Sequence, residues 1–339
     1  MIYLLAFVFA FIGTVVFTPV SILLAKKFDV MDYPRARKVH SKPLPRWGGI
    51  GIYCGFFLSI FLLCKFNASF QQLLSFDYKS INLFKQLSGI IFGGTLVFIL
   101  GLIDDKKPVK ALTKLLTQII AAYIAMDYGV RIYGLTLPFF DSFHNMPLIL
   151  GQIVTILWLT GFMNTINLAD GLDGLATGIG AIASATFFIV ALLQIAGSDV
   201  FLAKQLTLSA VMAITLTGAC LGFLVWNFYP AKLFMGDSGA LFIGFILATT
   251  SVIGTLKTTA MLSMFIPITV VALPILDVAL SMFRRLRKGM GLMEPDKEHI
   301  HHRLLSFGWS QREVVLLMYV ITLLLSIGSI LLTVAKWRV

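Results

Sequence analysis

LILGQIVTILWLTGFMNTINLADGLDGLATGIGAIASATFFIVALLQI, residues 148–195, decides the fold. Two apolar stretches, near 148–166 and 175–196, flank the polar knot NTINLADGLDG at 164–174. Each stretch has the length, roughly 17 to 25 residues, that crosses a hydrocarbon core. The knot therefore marks a sharp return at one face of a bilayer.

Outward from this pair, similar windows lie near 2–25, 48–64, 86–103, 111–128, 205–225, 238–256, 261–281 and 314–334. Apolar residues make up 58% of the 339, and mean hydropathy is +0.91, more than a soluble domain hides in its core. The expectation is an all-α, polytopic integral membrane protein of ten transmembrane helices, forming one domain over 1–339. No internal repeat, low-complexity tract or flexible linker divides it. The stretch 129–146 reads as a short hairpin.

Orientation follows from the basic residues, since short loops rich in them stay in the cytoplasm. Nineteen of the 27 lysines and arginines fall in the loops after odd-numbered windows, which leaves 8 for the other side. Both termini are then outside, and four polar clusters come to one cytoplasmic face: Asp104–Asp105, residues 164–174, the segment around Asp237, and His299–His302. Lys26 and Lys27 directly after the first window mark it as a retained helix rather than a cleaved leader. The net charge of +11 sits in these loops, so its partners are anionic headgroups and phosphorylated substrates, not nucleic acid. Cys54, Cys64 and Cys220 lie within apolar windows with no CxxC pair, as packing residues do.

Carboxylates at a bilayer edge are costly unless paired, hydrated or bound to a metal. Asp104 and Asp105 precede Lys106, Lys107, Lys110 and Lys114, a mixture that suits either a solvated helix end or a site for magnesium and phosphate. Asn164, Asn167, Asp170 and Asp173 recur every three residues, so on a continuing helix they share one face of hard oxygen ligands. WNFYPAKLFMGDSG combines Asn227, Lys232, Asp237 and Ser238 at a helix start. Its free amides would face an anion, or Asp237 would simply cap them. No Walker-type GxxxxGK[ST] loop is present. His299, His301 and His302 lack the cysteines or HExxH spacing of zinc sites; beside Arg303 they suit a diphosphate or a base. Asp277 is an intramembrane acid near Arg284 and Arg285, while His40 and His144 stand alone.

The succession DD, NxxNxxDGxDGLaxG, FMGDxG and HxHH on alternate loops resembles the polyprenyl-phosphate N-acetylhexosamine 1-phosphate transferase family over nearly the whole chain. RKVHSKPLPRWGG, containing Arg46, and PDKEHIHHRLLSFGWSQREVVLLMY resemble its N-acetylglucosamine branch. Ile300 interrupts the histidines, which in the phospho-N-acetylmuramoyl-pentapeptide branch are contiguous.

The resemblance implies transfer of N-acetylglucosamine 1-phosphate from UDP-N-acetylglucosamine to undecaprenyl phosphate, releasing UMP and starting a surface glycan. It implies magnesium, or manganese, on Asp237 and Asn167. Asp104, Asp105 and Lys114 are then catalytic. Asn164, Asp170, Asp173, Asn227, His299, His301, His302, Arg303 and Arg46 are then substrate-binding. The expected location is the bacterial inner (plasma) membrane, multi-pass, with a cytoplasmic active site; a homodimer is compatible with this. The competing readings are the pentapeptide transferase and, from another class, a secondary transporter, whose site would lie at mid-membrane between repeats.

Overall fold

In a computed structural model of the chain, residues 1–33, 43–78, 81–136, 143–254 and 304–336 are described, with isolated positions between 268 and 276. The expected window 261–281, with Asp277, lies largely outside them, as do His40, His299, His301, His302 and Arg303. The other nine windows coincide with helices: α1 (Ile2–Lys27), α2 (Gly49–Phe66), α4 (Leu83–Lys106), α5 (Ala111–Asp127), α6 (Leu148–Ala169), α7 (Leu175–Ile195), α8 (Val200–Asn227), α9 (Gly236–Gly254) and α10 (Gln311–Lys336). Eight of them are long and apolar enough to span a membrane; α5, with 17 residues, is shorter. The chain is an all-α, multi-pass membrane protein.

The sequence windows did not contain α3 (Ala68–Leu74), a short helix that buries Phe70, Leu73 and Leu74. Three two-stranded ribbons lie among the described elements: β1 (Met31–Asp32) with β2 (Leu44–Pro45), β3 (Asp77–Tyr78) with β4 (Ile81–Asn82), and β5 (Gly134–Thr136) with β6 (Phe143–Asn145). The last is the hairpin expected within 129–146, with Leu135 opposite His144.

Polar caps start several helices where the apolar runs begin. Asn82 Oδ1 accepts from the Lys85 N–H at 2.8 Å to open α4, and Asp199 Oδ1 accepts from the Leu202 N–H at 2.7 Å to open α8. Before α10, Ser310 and Glu313 satisfy each other's amides as a capping box.

Burial orders the bundle around α9. Of its most apolar window 94% is buried, against 28% for α1, so α9 is the central rod and α1 faces lipid along much of its length. Leu4, Ile12, Val16, Val20 and Leu23 of α1 are exposed, as the large apolar residues of a lipid-facing helix are.

Lipid is as apolar as leucine, so close approach of backbones has to hold the helices together. Two GxxxG pairs clasp α1. On α2, Gly51 and Gly55 meet Thr18 and Thr14; on α8, a Cβ at Gly218 or Gly222 would stand 2.5 Å from the Phe7 carbonyl oxygen or 2.6 Å from that of Phe11.

Replacing Gly222 by leucine must push α1 away, because the obstacle is backbone and overpacking costs about 1–3 kcal/mol. Gly161 has nothing within 4 Å of its would-be Cβ. In detergent, Gly222→Leu should lower the melting temperature by on the order of 5 °C, while Gly161→Leu leaves it unchanged.

Candidate active site

Asp105, on the last turn of α4, lies against the first turn of α9. Its Oδ1 accepts from the Asp237 N–H at 2.9 Å; its Oδ2 accepts from the Ser238 N–H at 3.2 Å and Ser238 Oγ at 2.9 Å. The Arg46 guanidinium approaches Oδ1 at 3.9 Å, and the Asp105 side chain is 0% exposed. A carboxylate donated by one helix thus caps another, meeting its free amides and its positive dipole end.

The helices have to come very close for this cap to form. Gly101 of α4 and Gly49 of α2 leave room for the backbone of Asp237, Ser238 and Gly239. Gly236 meets two demands at once. Its φ is +71°, and a Cβ there would lie 2.5 Å from Asp105 Oδ2 and from the Arg46 carbonyl oxygen. The segment before it is laced to the first loop: the Phe234 N–H donates to Pro45 O at 2.8 Å, and the Gly49 N–H to Met235 O at 2.9 Å. Trp47 Nε1 donates to Leu102 O at 3.2 Å, tying the same loop to α4.

Two of the α9 amides expected to face a bound anion, those of Asp237 and Ser238, are therefore occupied. Their anion is Asp105, which makes it a positioning residue by geometry. Neighbouring residues on a helix point about 100° apart, so Asp104 takes another course. Its Oδ1 accepts from the Val109 N–H at 2.6 Å and its Oδ2 faces Lys114 Nζ at 3.1 Å.

Lys114, on the first turn of α5, is also paired with Asp237 Oδ2 and reaches Asn167 Oδ1 at 3.5 Å. Asn167 Nδ2 donates to Asp237 Oδ1 at 2.9 Å. Asp104, Lys114, Asn167 and Asp237, from α4, α5, α6 and α9, thus converge at one end of the bundle. Each keeps part of its surface open.

The three-residue spacing of the knot does not give one helical face. Helix α6 ends at Ala169, and Gly174, at φ +77°, starts α7. Asp170 and Asp173 thus lie in a turn, Asp173 Oδ2 accepting from the Ala231 N–H at 3.0 Å. Tyr319 of α10 donates to Gly174 O at 2.5 Å and braces this turn.

Two of the expected substrate contacts, Asn227 and Asn164, have internal partners in this structure. Asn227 is 2% exposed; Oδ1 accepts from the Gly174 N–H and Thr177 Oγ1, both at 3.1 Å, and Nδ2 donates to Leu233 O. It joins the α6–α7 turn to the approach to α9. Asn164 lies a turn deeper than Asn167. Its Nδ2 donates to Gln118 Oε1 at 2.8 Å, and Gln118 Nε2 donates back at 3.3 Å. This amide pair fastens α5 to α6 one turn below Lys114 and Asn167.

Gln118, Trp47 and Tyr319 were not singled out from sequence. The one local signal was Gln118, a polar residue four after Lys114 within an apolar window.

Carboxylates outnumber cations here. The Asp170 residue is part-buried, yet burial of its carboxyl raises the pKa from 3.8 to about 8, with Asp237 and Asp105 pushing the same way.

The fold and this cluster define a multi-pass membrane protein with a polar site at one end of an apolar bundle. The signature of glycosyl transferase family 4 matches residues 87–255, from α4 through α9. Over 327 residues the chain is 35% identical to a protein of Bacillus subtilis (strain 168) named probable undecaprenyl-phosphate N-acetylglucosaminyl 1-phosphate transferase, covering 96% of this chain and 84% of that one. It is 37% identical to the decaprenyl-phosphate N-acetylglucosaminephosphotransferase of Mycolicibacterium smegmatis, covering 91% and 76%. The undecaprenyl-phosphate alpha-N-acetylglucosaminyl 1-phosphate transferase of Escherichia coli K12 is 28% identical, covering 94% and 81%. The chain belongs to glycosyl transferase family 4.

Between pH 4 and 8 folded Asp170 holds a proton that the unfolded chain has released, so stability falls as pH rises through that window. In chelator, the melting temperature should decline from pH 5 to pH 8. Asp170→Asn should flatten that decline, and an equal decline in the variant would contradict the assignment.

Proposed function

We propose that the protein transfers N-acetylglucosamine 1-phosphate from UDP-N-acetylglucosamine to undecaprenyl phosphate, releasing UMP and initiating a cell-surface glycan. Its site opens to the cytoplasmic side of a bacterial plasma membrane. The observation that carries this reading is the meeting of Asp104, Lys114, Asn167 and Asp237 at one end of a lipid-facing bundle. There a lipid phosphate can lie in the headgroup plane while a soluble nucleotide arrives from water. The relatives' names supply the polyprenyl phosphate and the sugar phosphate. The basic residues at the same end, Lys106, Lys107 and Lys110 among them, support the cytoplasmic orientation.

The donor chemistry fits magnesium, with manganese as its nearest substitute. Asp237 and Asn167 offer hard oxygens, and the Lys114 ammonium shows that these oxygens and Asp104 converge on a cation. Among the described residues no three His, Cys, Asp or Glu side chains gather to hold a metal by themselves. Asp237 and Asn167 would hold the ion with phosphate oxygens and water completing the shell, as magnesium sites commonly have. When bound, it offsets the repulsion between two anionic reactants and the charge that grows on departing UMP.

The chain's own residues do the rest. An oxygen of the lipid phosphate attacks the β-phosphorus, and the bond from that phosphorus to the bridging oxygen breaks, leaving UMP. Asp104 orients the attacking phosphate and accepts its remaining proton when it arrives as the monoanion, whose pKa near 6 is raised by desolvation. Lys114, on the same side of the cluster, pairs with a phosphate oxygen once substrate enters. Arg46, 38% exposed beside Asp105, is poised at the rim for the nucleotide diphosphate. Asp105 keeps Asp237 at the mouth, and Asp173 and Asn227 keep the adjoining loops in register.

Purified protein should release UMP from UDP-N-acetylglucosamine only when polyprenyl phosphate and magnesium are both present, and Asp237→Ala should lower the rate at least about 100-fold. Release of UDP instead of UMP would replace phosphosugar transfer by sugar transfer. A preference for UDP-N-acetylgalactosamine or the muramoyl-pentapeptide nucleotide would overturn the assigned donor.

A further inference from the structure

The corner where α1 and α4 end is not used by the proposed reaction. Lys26 and Lys27 close α1, Lys106 closes α4, and Lys107 and Lys110 follow it; all five are exposed. Two helix termini could splay such a charge apart, but aromatic contacts draw them together. Lys106 Nζ stands 5.4 Å from the centroid of the Phe28 ring, and Phe28 packs on Trp47 with centroids 5.7 Å apart. The Trp47 indole is itself fastened to Leu102 of α4. Two acids follow α1, Asp29, which accepts from Tyr33 Oη at 2.9 Å, and Asp32, so the five lysines outnumber them and basic charge dominates the corner.

Helix α2 lies between α1 and α4 beneath this corner. It is clasped to α1 through Gly51 and Gly55, and to α4 through Tyr53, which stacks on Phe98 at 4.0 Å. Val20 and Leu23 of α1 and Ile99 and Ile103 of α4 are exposed apolar residues within two turns of the lysines that close those helices. The arrangement puts cations at a membrane interface, an aromatic shelf beside them, and an apolar surface below.

We propose that this corner is a binding site for an anionic phospholipid, the phosphate held among Lys27, Lys106 and Lys107 and the acyl chains lying along α1, α2 and α4. Charge complementarity selects the occupant: a zwitterionic headgroup carries its own cation, which five lysines repel, whereas an anionic one brings none. The other lysine–aromatic contacts near helix ends differ in kind. Lys65 stands over its neighbour Phe66, Lys85 over Tyr128 and Lys232 over Trp226, each a single pairing without a lysine cluster. The two sites need not share an occupant, because the corner's lysines do not include Lys114, and Asp105 with Arg46 lies between it and the cluster around Asp237.

The test is native mass spectrometry of full-length protein titrated with phosphatidylglycerol, phosphatidylcholine, undecaprenyl phosphate or inorganic phosphate. Phosphatidylglycerol should bind at least ten times more tightly than phosphatidylcholine. The triple variant Lys27→Gln, Lys106→Gln, Lys107→Gln should erase that difference at unchanged melting temperature, and the same three positions as arginine should keep it. The pair Lys65→Gln, Lys85→Gln should have no effect. Equal binding of the two phospholipids, or a triple variant that still discriminates, overturns the proposal. Inorganic phosphate displacing phosphatidylglycerol at equal concentration would reduce the site to a phosphate site, and loss of undecaprenyl phosphate alone in the triple variant would reassign it to the acceptor lipid.

Discussion

The site depends on one buried carboxylate meeting one helix end. Asp105 is enclosed, and a buried charge survives only when its oxygens are satisfied. Two amides and the Ser238 hydroxyl do this, with Arg46 close by. Removing one partner of such a buried charge typically costs about 3–5 kcal/mol. The cap therefore fixes where α9 begins, and with it where Asp237 stands. The glycines follow from the same requirement: Gly49 and Gly101 let three backbones meet, and Gly236 turns the chain under the carboxylate.

This constraint divides the work of two adjacent acids. Asp105 is spent on architecture, and Asp104, on another face of α4, is left facing Lys114 and the opening. Behind the cluster lie further polar fastenings: the Gln118–Asn164 pair between α5 and α6, and Asn227 between the α6–α7 turn and the approach to α9. Polar side chains inside an apolar bundle act here as specific joints, since leaving either amide unpartnered would be costly. The rest of the bundle supplies surroundings in which few charged groups converge at one end.

Much of this was legible in the sequence, for a physical reason: span length is set by bilayer thickness and shows as uninterrupted hydropathy. Nine windows became helices, and Asp104, Lys114, Asn167 and Asp237 could be assigned to one end before any geometry was known. The division between Asp104 and Asp105 was not legible, because which face of α4 meets α9 is decided by packing. The equal spacing of Asn164, Asn167, Asp170 and Asp173 suggested one helical face, but the helix ends at Ala169, and the chain turns before Gly174, at φ +77°, caps α7. The internal partners of Asn164 and Asn227 were not legible, because an amide that binds substrate and one that binds a neighbouring helix have the same sequence signature. Helix α3, at 7 residues, was too short to register as a window.

The central claim is that Asp105 is consumed in capping α9 and leaves Asp237, with Asn167, to hold the cation on which the proposed transfer depends. Anomalous diffraction from crystals soaked in manganese measures this directly. The account predicts a peak about 2.1 Å from oxygens of Asp237 and Asn167, with the Lys114 ammonium moved off Asp237 and the Asp105 cap intact. A peak on Asp105 with the cap broken, or one remote from the start of α9, would contradict it.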